Sequence, residues 1–255
     1  MTHPVFYVEP QHIESLAAGE TYELVGSEGH HAKTVKRLGV GEPLDLVDGR
    51  GHRVGGVVTE IIPDGLAVSV ESGPVQDPSS SVVLIQALAK GDRDLMAVEM
   101  ATELGASAIF PWQAERSIVR WKADRAAKAH AKWGKTVSAA AKQARRSLVP
   151  HVGELLSTSQ VSRLMEPGDR MVVLHEEAAV SLVDYLGSVQ RTNNDAGSGR
   201  IFVVVGPEGG ISPHEVQTLE EAGAQCAVLG TDVLRSSTAG AAAIAVINAM
   251  IGPWR

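Results

Sequence analysis

The stretch Ile201-Phe202-Val203-Val204-Val205-Gly206-Pro207-Glu208-Gly209-Gly210-Ile211-Ser212-Pro213-His214-Glu215 decides the fold class. Its opening apolar run is too short for a helix and reads as a buried strand, cut off by a glycine loop. A helix follows. Ser212 can cap it, Pro213 suits the first helical position because its missing N–H costs nothing there, and Glu215 completes a capping box. Further on, Cys226-Ala227-Val228-Leu229 repeats the design. It ends at Gly230 and leads through Leu234-Arg235-Ser236-Ser237-Thr238 into an alanine-rich helix, Ala239 to Met250. Two strands that each release a bare main-chain loop ahead of a helix predict a parallel sheet with a ligand site at its strand ends.

Working outward, the chain from residue 82 on alternates strands and helices. Val82-Val83-Leu84-Ile85, Ala108-Ile109-Phe110 and Met171-Val172-Val173-Leu174 read as strands, and Leu95 to Leu104 as a helix stopped by Gly105. In that helix Met96, Met100 and Leu104 recur at helical spacing with Ala97 and Ala101 beside them, which predicts a core-facing stripe. The region from Arg125 to Arg146 predicts a helix interrupted at Gly134. Such alternation implies an α/β unit with helices on both faces of a parallel sheet. Asn193 to Gly199 reads as a mobile polar loop.

Residues 1 to 72 have a different texture. Val5-Phe6-Tyr7-Val8, Thr21 to Val25, Pro43 to Val47 and Leu66 to Val70 are short strand signals, with Asp48-Gly49-Arg50-Gly51 as a hairpin turn. One helical piece, His30 to Leu38, interrupts them, and the pattern suggests a small barrel. The linker is Gly73-Pro74-Val75-Gln76-Asp77-Pro78-Ser79-Ser80. His30 and His31 make no metal site, because neighbouring histidines point differently and no acid or cysteine stands at ligand spacing.

The chain has 255 residues, 44% hydrophobic and 21% charged, which suits a globular protein with a sizeable core. A lone cysteine, Cys226, rules out a disulfide within the chain and reads as a small core residue. No leader pattern opens the sequence, and Ala239 to Ile251 is too short to span a bilayer, so the expectation is a soluble cytoplasmic protein. Net charge is −7, yet ten Lys/Arg against Glu115 and Asp124 between Gln113 and Arg146 give +8 there and −15 elsewhere. A basic run can simply be a solvated helix face. Here the acids that would pair along that face are nearly missing, which favours RNA.

The glycine loop matches neither a dinucleotide fingerprint nor a P-loop. Gly206-Pro207-Glu208-Gly209-Gly210 followed by Leu229-Gly230-Thr231-Asp232-Val233-Leu234-Arg235-Ser236-Ser237-Thr238-Ala239 instead resembles the RsmE family of the SPOUT superfamily. The likeness extends to Lys90-Gly91-Asp92-Arg93, to Glu99 through Gly105 and to Glu115-Arg116-Ser117, so it covers most of the chain. It implies S-adenosylmethionine-dependent methylation of uridine N3 in 16S ribosomal RNA, on naked RNA or the small subunit, as part of ribosome biogenesis. It also implies a PUA-like RNA-binding β-barrel over 1–73, a SPOUT domain with a deep trefoil knot over 79–255, and a homodimer without metal.

Three strand-end segments would then hold the donor, with Leu174, His175, Val205, Gly206, Gly209, Gly210, Ile211, Leu229, Gly230, Leu234 and Ser236 as candidate contacts. Glycines let a ligand approach the main chain, and the leucines and Ile211 supply an apolar slot for adenine. Arg235 is the candidate for stabilising negative charge and Glu208 the candidate base. RNA candidates are His31, Lys33 and Arg37 in the barrel, Arg145 and Arg146 in the basic region, and Arg116 near a subunit boundary. One departure matters: the family reads Leu-Arg-Thr-Glu-Thr where this chain has Leu234-Arg235-Ser236-Ser237-Thr238. Without that acid Ser237 receives no catalytic role, and a SPOUT ribose 2′-O-methyltransferase stays an alternative. A non-catalytic RNA-binding assembly factor is a third reading, against which the intact glycine loops count.

Overall fold

The computed structural model describes residues 3–192 and 199–254; most of the loop from Asn193 to Gly199 therefore lies outside the described residues. The chain divides into two compact units, one running to Ser79 and taking in Ala141–Val149, the other built from Ser80–Ala140 and the chain from Pro150 on.

The first unit contains β1 (Val5–Tyr7), α1 (Pro10–Ser15), β2 (Thr21–Leu24), α2 (Gly26–His30), β3 (Pro43–Val47), β4 (His52–Ile62), β5 (Gly65–Val70) and β6 (Val75–Gln76). The strands form one mixed sheet in the order β1-β3-β4-β5-β2, with β6 paired to β4 and only β1–β3 parallel. Its core is Phe6, Ile13, Leu24, Leu44, Leu46, Val54, Val58, Leu66, Val68 and Val70. The helical piece expected from His30 is instead a short α-helix ending at His30 followed by a π-helical turn, His31–Val35. The Asp48–Gly51 turn joins β3 to β4, with Gly49 at φ +74 and Gly51 at φ +111, a region that favours glycine.

The second unit contains β7 (Val82–Ala87), α3 (Arg93–Glu103), β8 (Ala108–Trp112), α4 (Ala123–Gln143, whose last turn belongs to the first unit), β9 (His151–Val152), α5 (Thr158–Val161), β10 (Arg170–Leu174), α6 (Leu182–Thr192), β11 (Ile201–Val205), α7 (Pro213–Glu221), β12 (Gln225–Ala227) and α8 (Ser236–Met250). All six strands are parallel, in the order β12-β10-β11-β7-β8-β9. Strands β7 and β11 are buried along their full length, which is why they read as unbroken apolar runs rather than alternating ones. The register sets Leu174 opposite Ala227 and Val173 opposite Val204, so β10, β11 and β12 end at one edge of the sheet. That shared edge positions the site.

Two expectations are corrected here. The stripe on α3 holds only in part: Ala97 and Ala101 are buried as expected, with Asp94, Val98 and Thr102, but Met96 is 51% exposed. Small side chains fill that face where α3 packs on α8. Close approach of the two helices gains more dispersion contact than a long thioether would. The helix α4 is also continuous through Gly134. That glycine faces open space, costs about 1 kcal/mol relative to alanine, and is outweighed by the buried neighbours Trp133 and Val137.

The helix α8 is packed inside this unit. A Cβ on Gly240 would lie 2.8 Å from Leu84 Cδ1 and 3.3 Å from Val205 Cγ2, so the glycine lets the helix lie on β7 and β11. At its far end Asn248 donates to the Leu104 carbonyl at 2.7 Å and accepts from Ser80 Oγ at 2.8 Å, satisfying a fully buried amide.

Candidate active site

Every candidate donor contact lies in one cleft of about 890 Å³ at the ends of β10, β11 and β12. Three segments build it: Leu174 to Glu177, Val205 to Ile211, and Ala227 to Ser236. Leu174, Ile211, Leu229 and Leu234 supply apolar wall; its charged residues are the cations Arg93, Arg116 and Arg235 and the acids Glu176, Glu177, Glu208, Glu220 and Asp232.

The glycine loop is held by specific constraints. Gly210 donates to the Pro207 carbonyl at 2.9 Å and sits at φ +73, closing a tight turn. A Cβ on Gly206 would come within 2.6 Å of Ile211 Cγ1, so no side chain fits there without moving the cleft wall. At Gly209 a Cβ would press on Arg116, 3.2 Å from its Cβ and 3.3 Å from its carbonyl oxygen. Arg116 in turn donates to the Gly209 carbonyl at 3.2 Å. The glycines thus serve two ends: they bare the main chain to the cleft and let the Arg116 segment close over it.

Beneath the loop, the predicted cap of α7 is present. Ser212 Oγ accepts from the Glu215 amide at 3.2 Å, and Glu215 Oε2 accepts from the Ser212 amide at 3.1 Å. Glu215 does more than cap. Its Oε1 also accepts from the Glu115 amide at 2.9 Å and from Thr158 Oγ1 at 2.8 Å, and the residue is 1% exposed. Thr158 is itself the acceptor for Trp112 Nε1 at 3.2 Å. One buried carboxylate therefore ties together the glycine-loop helix, the Glu115–Arg116 segment and the start of α5.

Arg235 stands at the N-cap of α8 with extended backbone, its carbonyl receiving the Thr238 and Ala239 amides. Its exposed guanidinium lines the cleft and forms no hydrogen bond or ion pair among the described residues. Glu208 is differently placed. Its Oε1 accepts from the Lys90 amide and from the Arg93 guanidinium, both at 3.1 Å. Ser236 is buried, with its Oγ receiving Gln86 Nε2 at 3.3 Å, and Ser237 is 3% exposed beside it. Arg93 lines the cleft without having been read from the sequence as a site residue; the motif Lys90 to Arg93 was visible, but not how far its side chains reach.

The RNA candidates divide between the units. Arg116 belongs to the cleft, whereas His31, Lys33, Arg37, Arg145 and Arg146 belong to the first unit. His31 sets its ring edge-on to Phe6, and burial lowers its pKa. Lys33 donates to the carbonyls of Ile62 and Pro63, each at 2.8 Å, and so anchors the β4–β5 turn. Arg37 is exposed at φ +56, and Arg145 is exposed at φ +55. Burial lowers the pKa of Arg146, whose carbonyl receives the Tyr7 hydroxyl at 2.6 Å. Among the described residues no cluster of His, Cys, Asp and Glu could hold a metal, and no helix is long and apolar enough to cross a membrane.

A parallel sheet with glycine-bared loops at its strand ends, joined to a mixed β unit, defines a class. The sequence pattern of an RNA methyltransferase domain matches residues 76–248, and that of an RNA methyltransferase PUA domain matches residues 24–71. The chain is 40% identical over 237 residues to the ribosomal RNA small subunit methyltransferase E of Mycobacterium bovis, covering 90% of this chain and 86% of that protein. Its counterpart in Bacillus subtilis is 29% identical, covering 92% of each. The crystal structure of a ribosomal RNA small subunit methyltransferase E from Neisseria gonorrhoeae bound to S-adenosyl methionine superimposes with a TM-score of 0.77 at 30% identity, covering 96% of this chain and 97% of that one. The chain belongs to the ribosomal RNA small subunit methyltransferase E family.

Proposed function

We propose that this protein transfers a methyl group from S-adenosylmethionine to N3 of a uridine in 16S ribosomal RNA, the one numbered 1498 in that RNA. The observation that carries the reading is the convergence of three strand-end segments on one cleft with, at its edge, an arginine that is unpaired among the described residues. The cleft suits the donor. Its volume lies within the range of small-molecule sites, about 300–1,000 Å³, and the main chain at Gly206 and Gly210 is free of side chains. Leu174, Ile211, Leu229 and Leu234 would hold the adenine, and the amides and carbonyls of the loops would hydrogen-bond its edge. When bound, the donor supplies a methyl group on a positively charged sulfur, which would depart as a neutral thioether without help from an acid.

The chain's own work is positioning and charge. Holding the uracil ring in line with that methyl contributes on the order of 7–11 kcal/mol at best. Loss of the N3 proton to a base would build negative charge on the uracil ring, and attack of N3 on the methyl carbon, with the C–S bond breaking and the neutral thioether leaving, would discharge it. The Arg235 guanidinium, which has no hydrogen-bond or ion-pair partner among the described residues, is placed to stabilise that charge. The candidate base Glu208 has a second role in this reading. With one carboxylate oxygen engaged by Arg93 and the Lys90 amide, it fixes the Lys90–Arg93 loop against the glycine loop.

Residues 1–73 act as the RNA-binding PUA-like region and 79–255 as the SPOUT domain; the trefoil knot, the homodimer and action in the cytoplasm belong to the same proposal. Methyl transfer to small subunits from a strain lacking the modification, with naked 16S RNA in parallel, tests it. Nucleoside mass spectrometry should find 3-methyluridine. A ribose-methylated nucleoside would favour the 2′-O reading, which the missing acid at Ser237 keeps in view. A binding factor would give no methylated product.

A further inference from the structure

The helix α4 carries a feature that the cleft does not use. Arg125, Lys128, Lys132 and Lys135 are all exposed, and their spacing of three and four residues gathers them within an arc of about 80° over about 15 Å of helix. The other side of the helix is anchored: Trp133, Val137 and Ala140 are buried, and His130 bonds the Gly153 carbonyl. Only one acid, Asp124, occurs in the helix sequence. Lys128 and Lys135 form no ion pair among the described residues. Lys132 meets Asp92 at 2.9 Å, but both side chains are mostly exposed, so the pair is weak and readily exchanged.

The stripe is tied to the cleft from two directions. Asp92 precedes Arg93, which lines the cleft and pairs with Glu208. From the other side, the chain runs from Arg116 in the cleft through Arg120 and Lys122 into the start of α4.

We propose that Arg125, Lys128, Lys132 and Lys135 form a track for one single strand of ribosomal RNA, gripping its phosphates beside the cleft that receives the target base. The charge spacing suits that occupant. A nucleic-acid strand presents phosphates every few ångströms (about 3.4 Å along a B-form strand), so successive cations can meet successive charges. A folded acidic protein surface offers no such regular row. The proposal rests on the RNA methyltransferase reading, and its test separates the two.

A labelled single-stranded RNA carrying the target uridine is titrated with the full chain between about 50 and 200 mM salt. The variant K128Q/K132Q/K135Q is expected to bind at least tenfold more weakly at low salt. Its slope of log affinity against log salt should be shallower by about 2, from three contacts at about 0.7 each. Calorimetry with S-adenosylmethionine should be unchanged, and K128R/K132R/K135R should restore the wild-type slope. Equal RNA affinity and slope in the glutamine variant and the wild type would overturn the track, whatever the enzyme methylates. Should the triple variant lose donor binding, K128Q and K135Q singly decide: each should lower the slope by about 0.7, and an unchanged slope in both overturns the proposal. An altered slope in a protein that methylates nothing would uphold the track and sink the enzyme reading instead.

Discussion

Glu215→Ala probes how the cleft is held together. The wild-type carboxylate, 1% exposed, accepts from the Ser212 amide, the Glu115 amide and Thr158 Oγ1. Alanine would leave all three donors without an acceptor, in a place where water does not reach. An orphaned buried donor costs about 1–3 kcal/mol, and loss of the helix cap is part of the same change. Water entering the new cavity would recover some of this, so the expected cost is about 3–5 kcal/mol. A protein with a stability of about 5–15 kcal/mol remains folded but is visibly weakened.

Glu215→Gln keeps the shape and one acceptor oxygen but turns an N–H₂ group toward the amides; it should cost about 1–2 kcal/mol. Urea unfolding followed by tryptophan fluorescence is the assay. All four tryptophans, Trp112, Trp121, Trp133 and Trp254, lie in the second unit, and Trp112 is bonded to Thr158. Donor affinity should fall alongside stability, because the Glu115–Arg116 segment abuts the glycine loop. A loss of less than 1 kcal/mol in Glu215→Ala would refute the reasoning, since no buried hub behaves that way.

Gly206→Ala places a Cβ 2.6 Å from Ile211 Cγ1; calorimetry should show donor affinity reduced at least tenfold, and an unchanged affinity would deny the loop its role. Arg235→Ala should lower turnover more than tenfold while moving the unfolding free energy by no more than about 0.5 kcal/mol, because the side chain makes no cap bond. Near-normal turnover removes Arg235 from the chemistry. Burial, with Glu220 beside it, pushes the Cys226 thiol up to about 12. A raised thiol pKa means a neutral, unreactive sulfur at pH 8. A chromogenic disulfide reagent should therefore leave it untouched until the protein is unfolded, and rapid reaction of the native protein would contradict this.

What the sequence disclosed depended on whether local and long-range forces agreed. From Ile201 to Glu221 they did: the strand is apolar because both faces are covered, and the Ser212–Glu215 cap forms in place. Of the cleft's three loops, Leu174 to Glu177 came from the family resemblance; the other two, after Val205 and near Gly230, were legible for the same reason. The strand β4 was not, because its run includes Gly55 and Gly56 and its alternation breaks at a bulge between Val58 and Glu60. Of the stripe read on α3, Ala97 and Ala101 are buried, whereas Met96 is exposed, because hydrophobicity alone favoured a methionine where small side chains pack. No local signal announces that Ala141–Val149 returns to the first unit. Nor could the cap motif at Glu215 reveal partners at Glu115 and Thr158, far away in the chain. Lys33 reads as a surface cation, and only the fold shows it spent on two carbonyls.

Calorimetric titration of S-adenosylmethionine into the wild-type protein and into Gly206→Ala addresses the heart of this account, that bared main chain at three adjoining strand ends grips the methyl donor. The wild type should bind one equivalent per chain, and the alanine variant should bind far more weakly. Absence of binding to the wild type, or equal binding by both proteins, would contradict it.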